Sequence, residues 1–169
     1  LGMNEVGFAI MNTASYNLAP DTAKIKDQEG YVMSLALQKC RTLADFETLL
    51  DTISKPMGVQ ANFGLIDASG DGAYYETDDY TYTKFSLNDA ENGVLVRTNY
   101  SYTGEKDGGY GYIREENAWY LLEPYIKNKN IKFSLCGNFR IFLSERACSC
   151  VSGIFSGLFA VVLLPITKL

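Results

Sequence analysis

The chain has 169 residues, 47% of them hydrophobic and 13% aromatic, a composition that suits one folded domain with a real core and excludes disordered and collagen-like classes. Its 15 basic and 20 acidic residues give a net charge of -5, with no run of Lys or Arg able to follow a phosphate backbone, which argues against a nucleic-acid partner. The absence of His excludes a Ser-His-Asp triad, a Cys-His pair and imidazole zinc sites.

In chain order, the opening "LGMNEVGFAI" has no basic n-region and no initiator Met at position one, so the chain reads as part of something longer. Residues 6–12, "VGFAIMN", form a short apolar run whose length predicts a buried strand. After a polar loop through Pro20 and Asp27, residues 29–40 combine helix formers with apolar Val32, Leu35 and Ala36 and predict a helix. A second helix is predicted over 42–54, where Leu43, Phe46, Leu49, Leu50 and Ile53 fall at helical spacing and Thr42 with Asp45 makes a capping box. The two helices are expected side by side on a sheet.

Past Pro56 and Gly58 the pattern switches to period 2, and strands are predicted at 62–67, 72–77, 80–85 and 93–99, joined by turn formers as an antiparallel meander. Beyond Gly108, Gly109 and Gly111 a helix is predicted over 113–126, with Pro124 near its end. This order of elements predicts an α+β fold with sheets covered by helices. The character changes near residue 131, which divides the chain into a domain over 1–130 and an apolar tail over 131–169. Residues 147–167 carry no charge and are long enough to span a bilayer. Gly153, Gly157, Pro165 and the lack of an adjacent basic cluster argue against an anchor, leaving a core element or a tail foreign to the domain.

Two stretches invite a metal reading. "DASGDGAYYETD", residues 67–78, places Asp67, Ser69, Asp71, Gly72 and Asp78 at calcium-loop positions, but strand-like sequence flanks it and position twelve is not Glu. The expectation is a β-hairpin with solvated acidic turn residues and no metal. Cys40, Cys136, Cys148 and Cys150 form neither a CxxC pair nor a disulfide framework, and no cofactor is expected.

"GMNEVGFAIMNTASY" (2–16), "ANFGLIDASGDGAYYETDD" (61–79) and "VLVRTNYS" (94–101) together resemble the N-terminal-nucleophile hydrolases of the choloylglycine hydrolase and acyl-coenzyme A:6-aminopenicillanic acid acyltransferase kind, over residues 2–127. The resemblance implies a four-layer αββα sandwich, here incomplete, and hydrolysis or transfer of an acyl group from a linear amide. The nucleophile it implies is an N-terminal Cys with its own α-amine as base, a mechanism that needs no His. That Cys, and the Arg and Asp expected after it, precede the GMNE segment in the family and are not in this sequence, so the chain by itself is expected to be inactive.

Carried over by motif, Asn99 corresponds to the Asn of the family's Thr-Asn strand end, an oxyanion donor, and Asn12 to a second oxyanion or substrate-orienting Asn. Arg114 falls where the family has an Arg near its nucleophile, able to hold a thiolate or a substrate carboxylate. Each also has a plainer reading, as a turn Asn or as a helix-surface Arg paired with Glu115 or Glu116. The GMNE residues read as structural, and the tyrosines Tyr74, Tyr75, Tyr80, Tyr82, Tyr100 and Tyr102 as ordinary strand residues rather than a stacking platform. The expected partner is a small-molecule acyl amide; the competing function is a non-catalytic binding module on the same fold, anchored through 147–167.

Overall fold

Asn4 turns the chain back on itself. Its backbone N–H donates to the Phe8 carbonyl at 3.0 Å, its side-chain oxygen accepts the Phe8 N–H at 3.0 Å, and strand β1 (Gly2–Met3) is thereby set antiparallel to β2 (Ala9–Ala14). The strand predicted at 6–12 therefore starts later, because residues 5–7 belong to the turn, and it runs on to Ala14. The Asn4 amide nitrogen also donates to the carbonyls of Leu37 and Cys40, at 3.1 and 2.8 Å. Those carbonyls end helix α1 (Glu29–Lys39) and have no acceptor role left inside it, which explains the Asn of the GMNE motif as a helix-end clamp. Asn4→Ala is expected to lower the unfolding free energy by about 1–3 kcal/mol, read by urea denaturation, because it strips donors from a half-buried helix end.

The computed structural model describes residues 1–19, 23–127, 133–136, 140–143 and 161–163. Helix α2 (Leu43–Thr52) begins with the predicted capping box: the Asp45 N–H donates to Thr42 Oγ1 at 3.2 Å and the Thr42 N–H to Asp45 Oδ2 at 3.0 Å. Strands β3 (Ala61–Ile66), β4 (Gly72–Thr77) and β5 (Tyr82–Ser86) follow, and all five strands form one antiparallel sheet in the order β1-β2-β3-β4-β5.

Register assigns the two faces of that sheet. Ile10, Leu65 and Ala73 pair in line, as do Phe63 and Tyr75, and these residues bury with Val32, Ala36, Phe46 and Leu50 of the two helices. Phe46 sits edge-on to both Phe63 and Tyr75, with ring centroids 5.8 and 5.2 Å away. The opposite face carries Met11, Tyr74, Phe85, Asn62 and Glu76.

The predicted fourth strand of the meander does not join this sheet. Two 3-10 turns, Leu87–Asp89 and Glu91–Gly93, lift the chain off the edge, and left-handed backbone at Asn92 (φ 59°) and Gly93 (φ 64°) redirects it. Strand β6 (Leu95–Arg97) then crosses the face away from α1 and α2, where Leu95 packs with Tyr74 and Leu87. Helix α3 (Tyr112–Lys127) follows, lies against β6 and carries Pro124 inside its last turn. Strands β7 (Phe133–Cys136) and β8 (Arg140–Leu143) pair with each other, and β9 (Val161–Leu163) pairs antiparallel with β6. The architecture is mixed α+β, with a five-stranded antiparallel sheet and three α-helices among the described residues. No helix among the described residues is long and apolar enough to cross a membrane, and residues 147–167 lie outside the described residues except for β9.

The 67–78 stretch is a β-hairpin joining β3 to β4, as its strand-like flanks predict. Its first acidic residue is not solvated, however. Asp67 is buried: Oδ1 accepts the Ser69 N–H and hydroxyl at 2.9 and 2.5 Å, and Oδ2 accepts the Leu43 N–H at 3.2 Å, tying the hairpin to the first turn of α2. A carboxylate at a helix N-terminus meets free N–H groups and the positive end of the helix dipole.

Candidate functional site

The segment after β6, residues 98–105, is fastened to the open face of the sheet by buried polar groups. Glu76 on β4 is the anchor: Oε1 accepts Arg97 Nε at 2.8 Å and the Tyr102 N–H at 2.9 Å, while Oε2 accepts the N–H and hydroxyl of Thr103 at 2.8 and 2.7 Å. Arg97, 2% exposed, lies over the rings of Tyr102, Phe85 and Tyr74, at 3.8, 4.5 and 5.4 Å from their centroids. On β3, Asn62 donates to the carbonyls of Thr98 and Tyr100 and accepts the Ser101 hydroxyl at 2.5 Å. Beyond β2, Asn17 Oδ1 accepts the Ser15 hydroxyl and the Ser101 N–H, and its amide nitrogen donates to the carbonyls of Ser101 and Glu105. Glu76, Asn62 and Asn17 each answer backbone groups of the crossing segment, and that fixes the path of the chain.

Asn99 sits within this fastened segment. Its amide nitrogen donates to the Ala14 carbonyl at 2.9 Å, and its side-chain oxygen accepts Arg114 Nη2 at 2.7 Å. These two partners fix which way the amide points, since neither can be satisfied by the flipped orientation. The second amide hydrogen of Asn99 has no acceptor among the described residues. Arg114 therefore reaches Asn99 from the first turn of α3, which is a different use from the helix-surface pairing with Glu115 or Glu116. Glu115 is taken by other groups: the Tyr102 hydroxyl and Trp119 Nε1 both donate to its Oε1.

Gly111 makes the approach of Arg114 geometrically feasible. Its φ is 101°, in the left-handed region, and a Cβ there would lie 2.7 Å from Thr98 Oγ1 and 2.8 Å from Arg114 Nη2. Thr98 Oγ1 flanks the same point, is fully buried and has no hydrogen-bond partner among the described residues. Thr98, Asn99, Gly111 and Arg114 thus converge at one spot.

Asn12 does not join them. It pairs with Phe63 in the middle of β2, so it projects on the helix-covered face, whereas Asn99 lies over the opposite one. A polar cleft of about 380 Å3, lined in part by Asn17, Glu76, Asp78, Thr83 and Thr103, likewise includes none of Asn12, Asn99 and Arg114. Its Glu76 and Thr103 are already bonded to each other. Tyr74 and Tyr75 are wholly buried. Cys40 ends α1 as its C-cap, and desolvation, with help from Asp45, pushes its thiol up to about 11, so it is protonated at neutral pH.

Burial raises the Glu115 carboxyl above the usual carboxylate range; the Trp119 N–H and Arg97 oppose the rise and Glu76 adds to it. A carboxyl held higher in the folded than in the unfolded state lets the folded protein take up more protons. Its contribution is therefore fully present below the unfolded value, near pH 4, and is lost as pH rises through the folded value. Glu115→Gln keeps an acceptor for Tyr102 and removes the titration. Urea unfolding of both proteins from about pH 4 to neutrality is expected to show the wild type losing ground to the variant as pH rises. A constant difference across that range contradicts the assignment.

The residues that sequence reasoning overlooked are Glu76, Arg97, Asn62, Asn17 and Thr98. One signal was available for two of them: Asn62 and Glu76 are poor strand formers inside otherwise aromatic and apolar strands, which marks a position with a specific bonding duty. Comparison with protein-family models, curated proteins and solved structures finds no match to this chain.

Proposed function

We propose that the chain is the central part of an N-terminal-nucleophile hydrolase or acyltransferase acting on linear amide carbon-nitrogen bonds. The observation that carries this reading is the Asn99 amide, oriented by Ala14 and Arg114, whose second N–H meets no acceptor among the described residues. A neutral, immobilised donor of this kind stabilises the oxyanion of a tetrahedral intermediate without titrating. The packing supports it as well: α1 and α2 cover one face of the five-stranded sheet, and β6, with α3 against it, lies over the other.

In this mechanism the thiol of an N-terminal Cys, carried by a segment outside these 169 residues, attacks the amide carbonyl while its α-amine takes the thiol proton. The carbonyl oxygen becomes an oxyanion facing the Asn99 N–H. Collapse of the intermediate breaks the C–N bond, the amine leaves with the proton, and water or an acyl acceptor then cleaves the thioester. Arg114 holds the Asn99 oxygen and so keeps the amide aimed. Cys40 cannot stand in for the nucleophile, because its buried thiol stays protonated. Asn12, on the helix-covered face, is given no part in this chemistry.

The test is the intact mass and N-terminal sequence of the protein as its source cell makes it, followed by an assay for amine release from an acyl amide. An N-terminal Cys upstream of the GMNE segment with amide cleavage supports the reading. A mature protein with no such Cys refutes it and moves the function to binding.

A further inference from the structure

Arg114 and Glu115 stand next to each other in the first turn of α3, and each reaches the crossing segment. Arg114 Nη2 donates to Asn99 Oδ1 at 2.7 Å, and Glu115 Oε1 accepts the Tyr102 hydroxyl. Successive helical residues project about 100° apart around the axis, so two such bonds fix the roll of the turn as well as its distance from the segment. One bond by itself leaves the turn free to pivot about that contact.

The other contacts do not supply this direction. Ala118 and Leu122, further along the buried side of α3, are apolar, and apolar burial is non-directional. The Tyr110 N–H donates to the Asn99 carbonyl at 3.1 Å, but Gly111, with its φ of 101°, lies between that bridge and the helix and frees the helix from its heading. Tyr102, in contrast, is a fixed post: its N–H donates to Glu76 Oε1 at 2.9 Å, and the Arg97 guanidinium carbon lies 3.8 Å from its ring centroid. Glu115 is equally constrained. It is buried, and Trp119 Nε1, four residues on, donates to the same carboxyl oxygen at 3.4 Å.

We propose that Tyr102 and Glu115 are positioning residues of the Asn99 site: their hydrogen bond seats the first turn of α3 on the crossing segment and thereby sets the reach of Arg114 to the Asn99 side-chain oxygen. The buried Glu76–Arg97 pair is then coupled to Asn99 through Tyr102, Glu115 and Arg114. The inference rests on the acyl-amide reading for its kinetic consequence alone.

The experiment follows hydrogen exchange of the Asn99 side-chain amide, which is bonded to the Ala14 carbonyl, by NMR of the full-length protein without substrate. The β3 backbone amides serve as the control for general loosening. Tyr102→Phe removes the hydroxyl and keeps the ring over Arg97; it is expected to speed Asn99 exchange about tenfold while the β3 amides keep their rates. In an Arg114→Ala background the same change is expected to add nothing, because its route to Asn99 is gone. Glu115→Gln, which keeps an acceptor for Tyr102, should exchange close to wild type. Unchanged Asn99 exchange in Tyr102→Phe overturns the inference, as does an acceleration that persists undiminished in the Arg114→Ala background or extends equally to β3. Amide cleavage is a separate readout, in which Tyr102→Phe is expected to lower kcat at constant KM. If the exchange results hold and the wild-type protein cleaves no acyl amide, the positioning pair stands and the acyl-amide reading falls.

Discussion

Glu76→Ala is expected to lower the unfolding free energy by about 3–5 kcal/mol, because it leaves the Arg97 charge buried without its counter-ion. Both partners are almost wholly out of solvent, at 0% and 2% side-chain exposure, and the remaining guanidinium contacts are aromatic rings and the Val96 carbonyl. Glu76 also receives the backbone N–H groups of Tyr102 and Thr103, so its loss frees part of the crossing segment as well. Against a total margin of about 5–15 kcal/mol for a domain, this is a large fraction.

Two measurements check this. Urea denaturation gives the magnitude, and native-state hydrogen exchange should show Tyr102 and Thr103 amides losing protection ahead of the β3 and β4 amides. The paired change Glu76→Leu with Arg97→Met is expected to recover much of the loss, since removing both charges also removes the desolvation they suffer. A loss below about 1 kcal/mol for Glu76→Ala, the range of an exposed pair, contradicts the assignment of a buried ion pair.

On the proposed acyl-amide mechanism, Asn99→Ala in the protein as the source cell produces it is expected to lower kcat for amide cleavage by a factor of about 100 to 1,000 with little change in KM. The reasoning is that the Asn99 N–H meets charge that exists only after attack, so its removal is felt in the transition state and not in substrate binding. Asn99→Asp should do at least as much damage: it keeps the acceptor for Arg114 but replaces the donor with an oxygen. Arg114→Lys is expected to cost less than either, because the ammonium can still reach the Asn99 oxygen while losing the fixed fork of the guanidinium. A rise in KM at constant kcat for Asn99→Ala would mean that the amide holds the ground-state substrate, and the oxyanion role would then be wrong.

Much of the secondary structure was legible without the fold. The Thr42–Asp45 capping box set the start of α2, and the apolar spacing of Leu43, Phe46 and Leu50 set its buried face, since both depend on residues within one or two turns of each other. Strand alternation and the Asp and Gly turn residues likewise placed the 67–78 hairpin, for the same reason of locality.

Three features were decided only by tertiary structure. The strand near 93–99 reads like another member of the meander, yet the Asn92–Gly93 kink and the buried bonds from Asn62, Glu76 and Asn17 carry it across the open face of the sheet. Those bonds join residues 21 to 88 positions apart, beyond the reach of any periodicity. Asn12 and Asn99 could be aligned by motif, but the faces they occupy follow from register, and a pairing shift of one residue reverses a face.

The same holds for Arg114. Its place at the head of a helix is local and was readable from sequence; its hydrogen bond to Asn99 needs the positive φ of Gly111 and the anchoring of residues 98–105. Sequence by itself determined the α+β class, the helices and the hairpins joining β3, β4 and β5, because short-range sterics and capping govern them. The convergence of Thr98, Asn99, Gly111 and Arg114 was decided by the tertiary structure, where buried polar groups must find partners wherever the chain can bring them.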